Sequence, residues 1–148
     1  MKSNGDTLMN MRLPLLLLAL AASALSPSAY AQVLVIANPS VTAAEVSKAE
    51  LRDVFTGASS SLKGAAQVTP VLLKQGAIND GFLDLYVGKS DSAFRAGWRS
   101  ILFSGQGVMP KTFDSDTAVV EYVAHTPGAI GYIAKTTPHD GVKILIVR

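Results

Sequence analysis

The sequence predicts an α/β fold with a partly parallel, mixed sheet flanked by helices. Apolar runs alternate with segments of helical periodicity in the order β-α-β-α-α-α-β-β. The first run, Val33–Ala37, is apolar without interruption, a pattern typical of strands that are buried on both faces of a parallel sheet. The length of 148 residues and the 49% apolar content fit one domain with a substantial core.

Residues 1–31 have the organisation of a secretory signal peptide. A positively charged start precedes the apolar run from Leu13 to Leu25, and Ala29-Tyr30-Ala31 is a small-x-small cleavage pattern before Gln32. The apolar run is shorter than the roughly 20 residues that a membrane-spanning helix needs.

These features predict cleavage between Ala31 and Gln32, a periplasmic location and a mature domain of residues 32–148 without a transmembrane segment. Two alternatives stay open at this point. In the first alternative, the apolar run is an uncleaved membrane anchor. In the second, translation begins at Met11 rather than Met1.

The first helix is predicted by its end signals. Ser47 and Glu50 have the spacing of a capping box, in which each side chain accepts a backbone N–H of the other residue. Val46 and Leu51 occupy the two positions of a hydrophobic staple, and Gly57 stands where a left-handed C-cap is expected.

A second strand is predicted over Val68–Leu73, where Pro70 indicates an edge position or a bulge. The segment 74–77 then forms a strand-to-helix turn. Helical spacing of apolar residues continues from Ile78 to Tyr86, and Gly88 ends that helix.

Two more helices and two strands complete the prediction. The third helix begins at Ser90 or Ser92 and ends at the 105–107 turn. Its core face is expected to comprise Phe94, Trp98, Ile101 and Leu102, and its polar face carries Arg95 and Arg99, which we expect to be solvated. The fourth helix begins at Ser115 or Asp116, and strands follow over 130–133 and 142–147.

Composition excludes several classes of function. The absence of cysteine excludes disulfide scaffolds, cysteine-ligated zinc sites and thiol enzymes. His125 and His139 lack metal-ligand spacing, and no G-x-S-x-G motif marks a nucleophile. Lysine and arginine are scattered, which disfavours nucleic-acid binding. We therefore predict a protein that is not an enzyme and that has no cofactor and no metal.

Turns that follow strands are the candidate ligand sites. In open α/β sheets, ligands bind beyond the carboxyl ends of strands, often at helix N-termini that attract anions. The predicted ligand-binding residues are Asn38, Ser40, Lys74, Gln75, Gly76, Asn79, Thr126 and Gly128. Their amides, hydroxyls and single cation suit a small oxyanion. The alternative interpretation is that they are ordinary turn residues.

Several segments in order resemble the phosphate-binding components of ABC importers. These segments are Ser47–Gly57 (SKAELRDVFTG), Val68-Thr-Pro-Val71, Phe82–Gly88, Trp98 before Gly105-Gln-Gly107, and Thr126–Tyr132 (TPGAIGY). The resemblance covers nearly all of residues 33–147 and is closest to the short, single-lobed, phosphate ABC transporter substrate-binding protein-like group of exported proteins.

This resemblance implies a single periplasmic-binding-protein-like lobe, phosphate as the ligand class and a membrane transporter or sensor as partner. Full-length relatives have two lobes that close on phosphate, and their binding turn resembles Arg-Ser-Asp-Gly-Ser-Gly-Thr. Here Leu73–Asp80 (LKQGAIND) carries Lys74 in place of the arginine and lacks the paired serines and the threonine. Two functions therefore stay open: a binder of phosphate or another small oxyanion, and a ligand-free interaction module.

Overall fold

The computed structural model describes residues 32–63 and 67–148. The predicted signal segment 1–31 and residues 64–66 of the loop after the first helix lie outside the described residues. The strands are β1 (Val33–Ala37), β2 (Glu45–Val46), β3 (Thr69–Pro70), β4 (Leu72–Leu73), β5 (Thr112–Phe113), β6 (Ala129–Ala134) and β7 (Lys143–Val147). The helices are α1 (Lys48–Thr56), α2 (Ala77–Phe82), α3 (Asp91–Phe103) and α4 (Asp116–His125).

The main sheet is mixed, as predicted. Its five strands have the order β2-β7-β1-β6-β3, and β4 pairs with β5 in a separate two-stranded sheet. The pairs β2–β7, β3–β6 and β4–β5 are parallel. The expected α/β lobe with a partly parallel sheet is therefore confirmed.

The indication that Val33–Ala37 belongs to parallel pairing is wrong. β1 lies in the centre of the sheet and is antiparallel to both neighbours, β6 and β7. Its continuous apolar sequence reflects burial on both faces, which helices on both sides of the sheet produce whatever the strand direction.

Successive residues of β6 show the two helical layers. A Cβ added to Gly131 would lie 2.9 Å from Cγ1 of Val119, so α4 packs closely on that face. On the opposite face the Tyr132 ring stacks on Phe82 with a centroid distance of 3.9 Å and contacts Phe55 edge-on at 5.8 Å. These three aromatic side chains form the centre of the core beneath α1 and α2.

The predicted strand Val68–Leu73 is divided in two. β3 is the edge strand of the main sheet, whereas β4 pairs with β5. Pro70 is the last residue of β3, and its predicted edge position is confirmed, since it has no N–H to donate to a further neighbour. The two-residue strands β2 and β5 are too short to produce a periodic signal and were not predicted.

The predicted end signals of the helices are present. Gly57 ends α1 in the left-handed conformation with φ 82°, and Ser90 and Ser115 are the N-caps of α3 and α4. The second predicted helix is α2, which widens into a π-helical turn over Leu83–Val87 before Gly88 ends it at φ 72°.

On α3 the predicted core face is only partly correct. Phe94 and Trp98 are buried, and the Trp98 Nε1–H donates to the Phe55 carbonyl at 2.8 Å. Leu102, by contrast, is 41% exposed, because it lies in the last turn of α3, near its end at Phe103. Within the described residues, no helix is both long enough and apolar enough to cross a membrane.

The capping box of α1 predicts a pH-dependent contribution to stability. The Glu50 carboxylate accepts the N–H of Ser47 at 2.9 Å and the N–H of Lys63 at 3.0 Å. These hydrogen bonds, those from Ser47 first, lower the pKa of Glu50. A lowered folded-state pKa stabilises the protein above the unfolded-state pKa, and this stabilisation is lost as the pH falls through the folded-state value.

We therefore expect Glu50→Gln to reduce the free energy of unfolding by about 0.5–1 kcal/mol at neutral pH. The difference from the wild type should vanish at an acidic pH below the lowered folded-state pKa, where the carboxyl is protonated. Urea unfolding at both pH values measures this effect, with Glu121→Gln on the exposed face of α4 as the matched control. An equal loss at both pH values would contradict the role of the carboxylate charge.

Candidate functional site

The structure places the eight predicted ligand-binding residues in two groups at opposite ends of the main sheet. β1 is antiparallel to β6, whereas β3 is parallel to β6. The turn after β1 therefore lies beside the start of β6, and the turn after β4 lies toward the end of β6. A single site that contains both turns is not formed.

The first group is a structural corner between β1 and α4. Asn38 is buried, and its Nδ2 donates to the carbonyls of Val123 and Ala124 at 2.7 and 3.1 Å. Its Oδ1 accepts the N–H of Ser40 at 2.9 Å. The Asn38 side chain thus caps the last turn of α4 rather than pointing to solvent.

The other members of this group also bond to one another. The Ser40 hydroxyl accepts the N–H of Gly128 at 2.9 Å, and the Thr126 carbonyl accepts the N–H of Ala129 at 3.1 Å. Gly128 has φ 78° and lies so close to the Gln67 carbonyl that a Cβ would approach it to 3.0 Å. The ordinary-turn interpretation fits the Asn38 amide, the Ser40 hydroxyl oxygen and the Gly128 N–H, because each of them is hydrogen-bonded within the corner.

The second group forms an open pocket, which we call the turn site. It has a volume of about 160 Å³ and is lined by Leu73, the segment Lys74–Asn79, Asp114 and Asp116. Lys74, Gln75 and Gly76 are exposed here, at the carboxyl end of β4. α2 begins at Ala77, so the amides of its first turn have no acceptor within the helix, and the residues that carry them line this pocket.

Asn79 belongs to the turn site but is committed to the core. It is 1% exposed, its Oδ1 accepts the Tyr132 hydroxyl at 2.5 Å, and its Nδ2 donates to Asp91 at 2.7 Å. Burial raises the pKa of Tyr132, so this hydroxyl stays protonated and remains a donor. Asn79 therefore holds the turn in place, while Lys74 and the amides are the groups left for a ligand.

Two carboxylates at the turn site were not among the predicted ligand-binding residues. Asp114 and Asp116 precede and begin α4, and the sequence presented them only as charges that favour a helix N-terminus. The Asp116 Oδ2 accepts the N–H of Ala134 at 2.6 Å and the hydroxyl of Thr137 at 2.9 Å. Both residues lie far from Lys74 in the sequence, so sequence spacing did not indicate that they line this pocket.

Arg95 is the other residue that sequence reasoning missed. It is not solvated as expected: its side chain is 18% exposed and forms an ion pair with Asp91 at 2.9 Å. Its Nη2 donates to the Leu73 carbonyl at 2.8 Å, at the end of β4. The sequence signal for this ion pair was the four-residue spacing of Asp91 and Arg95, because oppositely charged residues at that spacing are neighbours on the surface of a helix.

The two histidines bond to nearby carbonyls. The Nδ1 atoms of His125 and His139 lie 2.8 and 2.9 Å from the carbonyl oxygens of Glu121 and Thr137. Among residues 32–63 and 67–148, no cluster of three or more metal-ligating side chains is present. The turn site offers one lysine, the side-chain amide of Gln75, backbone amides and two carboxylates as its chemistry.

The similarity of the whole chain to solved structures identifies its fold. The chain is similar to a phosphate ABC transporter substrate-binding protein from Clostridium perfringens with bound phosphate, at a TM-score of 0.61 and 18% identity over 78% of this chain and 44% of that one. It is similar to PstS from Borrelia burgdorferi at a TM-score of 0.58 and 18% identity, over 79% and 47% of the two chains. An ABC-type phosphate transport receptor from Vibrio cholerae matches at a TM-score of 0.52 and 12% identity, over 78% and 46%.

The fold is that of part of these solved phosphate-transport proteins. The resemblance seen in the sequence is thereby confirmed at the level of the fold. This chain spans less than half the length of each of these phosphate-transport proteins. No protein-family model matches the sequence, and no curated protein matches it.

Proposed function

We propose that this protein is an exported solute-binding-like protein that takes up phosphate or another small oxyanion at the turn site, for ABC-type transport or sensing. One observation carries the proposal. The exposed Lys74 and the first amides of α2 converge at the carboxyl end of β4, in a fold shared with phosphate-transport receptors. The predicted signal segment supports a periplasmic location.

The charges around the pocket define the kind of anion that fits. Lys74 is a cation, whereas Asp114 and Asp116 are carboxylates that accept hydrogen bonds but donate none when ionised. An oxyanion that still carries a proton, such as hydrogen phosphate, can donate to a carboxylate. Sulfate carries no proton at neutral pH, so the turn site favours phosphate over sulfate.

Thermal unfolding of the mature domain 32–148 tests the proposal. A ligand at 100 times its Kd adds about 2.7 kcal/mol to the free energy of unfolding, which raises the Tm of a domain of this size by several degrees. We expect phosphate to raise the Tm more than sulfate at equal ionic strength. No rise at tens of millimolar phosphate would overturn a functional site in the isolated lobe.

Lys74→Ala should remove most of the phosphate-induced rise in Tm, because it deletes the cation of the turn site. Lys48→Ala is the matched control, since it removes the same charge from an exposed position at the start of α1, next to the opposite edge strand β2. An equal loss of the phosphate effect in both variants would indicate general electrostatics rather than this site.

The alternative function, a ligand-free interaction module that docks on a membrane sensor or transporter, has its own support. Asn79 is buried and hydrogen-bonded to Tyr132 and Asp91, and two carboxylates line the turn site together with its lysine. Both features weaken an anion site. A stable, folded domain whose Tm does not respond to phosphate would favour this alternative.

A further inference from the structure

The 74–79 turn lines the turn site. Side chains from distant parts of the chain form hydrogen bonds at its first end. Leu73, the last residue of β4, donates its N–H to the Tyr132 hydroxyl oxygen at 3.1 Å. Its carbonyl accepts the Nη2–H of Arg95 at 2.8 Å. Both backbone groups of the residue before Lys74 are therefore held by side chains, one from β6 and one from α3.

The same two elements hold the other end of the turn. The Tyr132 hydroxyl donates to the Asn79 Oδ1 at 2.5 Å, and the Asn79 Nδ2 donates to the Asp91 Oδ1 at 2.7 Å. Arg95 closes the ring, because its Nε donates to that same carboxylate oxygen at 2.9 Å. The hydrogen bonds thus run from Leu73 through Tyr132, Asn79, Asp91 and Arg95 back to Leu73.

Burial makes this closed ring rigid. Tyr132 and Asn79 are 0% and 1% exposed, and the side chains of Arg95 and Asp91 are 18% and 13% exposed. Hydrogen bonds in a region of low dielectric strengthen one another, and losing one residue of the ring leaves its direct partners short of a hydrogen bond. The Arg95 fork further anchors α3 to β5 through a 3.3 Å contact from Nη1 to the Thr112 hydroxyl.

We propose that Arg95, Asp91 and Tyr132 are positioning residues, which clamp both ends of the 74–79 turn and set the turn site in its binding geometry before a ligand arrives. This inference rests on the proposed function for the identity of the ligand. None of the three side chains lines the turn-site pocket. They raise the affinity for the oxyanion, because a turn that is already ordered loses less conformational entropy on binding.

Arg95→Lys separates this role from simple charge. Lysine keeps the positive charge but is a compact point donor, which does not reproduce the fork that reaches the Leu73 carbonyl and Asp91 together. Arg99→Lys is the matched control, because Arg99 is exposed and lies one helical turn further along α3. Both variants preserve the helix and the net charge.

The first measurement is native-state amide hydrogen exchange without ligand. The N–H groups of Leu73, Lys74 and Asp80 are hydrogen-bonded in and around the turn, so each reports on its opening. We expect Arg95→Lys to accelerate their exchange by about tenfold relative to amides of β6, and Arg99→Lys to leave it unchanged. Equal acceleration at the turn and in β6 would overturn the clamp, since it indicates a global loss of stability.

The second measurement is the Kd for inorganic phosphate by calorimetry, at a temperature at which both variants remain folded. We expect Arg95→Lys to weaken binding by about tenfold and Arg99→Lys to match the wild type. Faster exchange at the turn with unchanged phosphate affinity would overturn the positioning role. If the wild type itself binds no phosphate, the proposed function fails, and the exchange measurement still decides whether the clamp orders the turn.

Discussion

Replacing Phe82 by alanine is expected to lower the free energy of unfolding by about 3–5 kcal/mol. Phe82 is 0% exposed at the end of α2, and its ring stacks on Tyr132 with a centroid distance of 3.9 Å. It also forms a T-shaped pair with Phe55, with a centroid distance of 4.8 Å. Alanine would leave a cavity between two helices and the sheet. Because the stacked Tyr132 hydroxyl holds Asn79, we also expect the turn site to become mobile.

Urea unfolding of residues 32–148 measures this loss. The matched control is Phe103→Ala, which makes the same substitution at the end of α3, where the side chain is 84% exposed. We expect this control to change the free energy of unfolding by less than about 0.5 kcal/mol. Comparable losses in the two variants would mean that the aromatic cluster is not the centre of the core.

Replacing Asn38 by alanine is expected to cost about 2–4 kcal/mol, although the substitution removes only a small polar side chain. The buried carbonyl of Val123, the half-buried carbonyl of Ala124 and the N–H of Ser40 would each lose a partner. A buried polar group without a hydrogen bond is costly, and here the end of α4 would separate from β1.

The same variant tests the placement of the first predicted group. If the turn site alone binds the oxyanion, Asn38→Ala lowers the Tm but leaves the phosphate-induced rise intact. Ser40→Ala, which removes only the acceptor for the Gly128 N–H, is the control, with an expected cost of about 0.5–1 kcal/mol. Loss of the phosphate effect in either variant, with the fold preserved, would place the ligand at this corner instead.

Local chemistry explains why the helix ends were predictable. The Ser47–Glu50 capping box and the left-handed Gly57 depend on residues within about one turn of each other, so sequence spacing determines them. Ser90, Ser115 and Gly88 follow the same logic. The order of motifs from Ser47 to Tyr132 also indicated the fold that the solved phosphate-transport proteins share.

Strand direction was not predictable in the same way. An apolar run such as Val33–Ala37 records burial on two faces but contains no information about which neighbours it meets. Only the pairing with β6 and β7 shows that β1 is antiparallel, and this direction separates Asn38 from the turn site. Likewise, the division of Val68–Leu73 depends on β5, some forty residues further along the chain.

The sequence alone determined the local pieces of this protein: the capped helices, the core-forming runs and Lys74 at the start of a strand-to-helix turn. Only the tertiary structure decided how polar residues are used. Asn38 and Asn79 look alike as turn residues, yet long-range partners bury both of them in the scaffold. The sequence predicts Arg95 as a surface charge, whereas in the structure its guanidinium donates to the Leu73 carbonyl at the end of β4. Hydrogen bonds between residues far apart in the chain produce no periodic pattern in the sequence, because their geometry exists only once the sheet and helices have assembled.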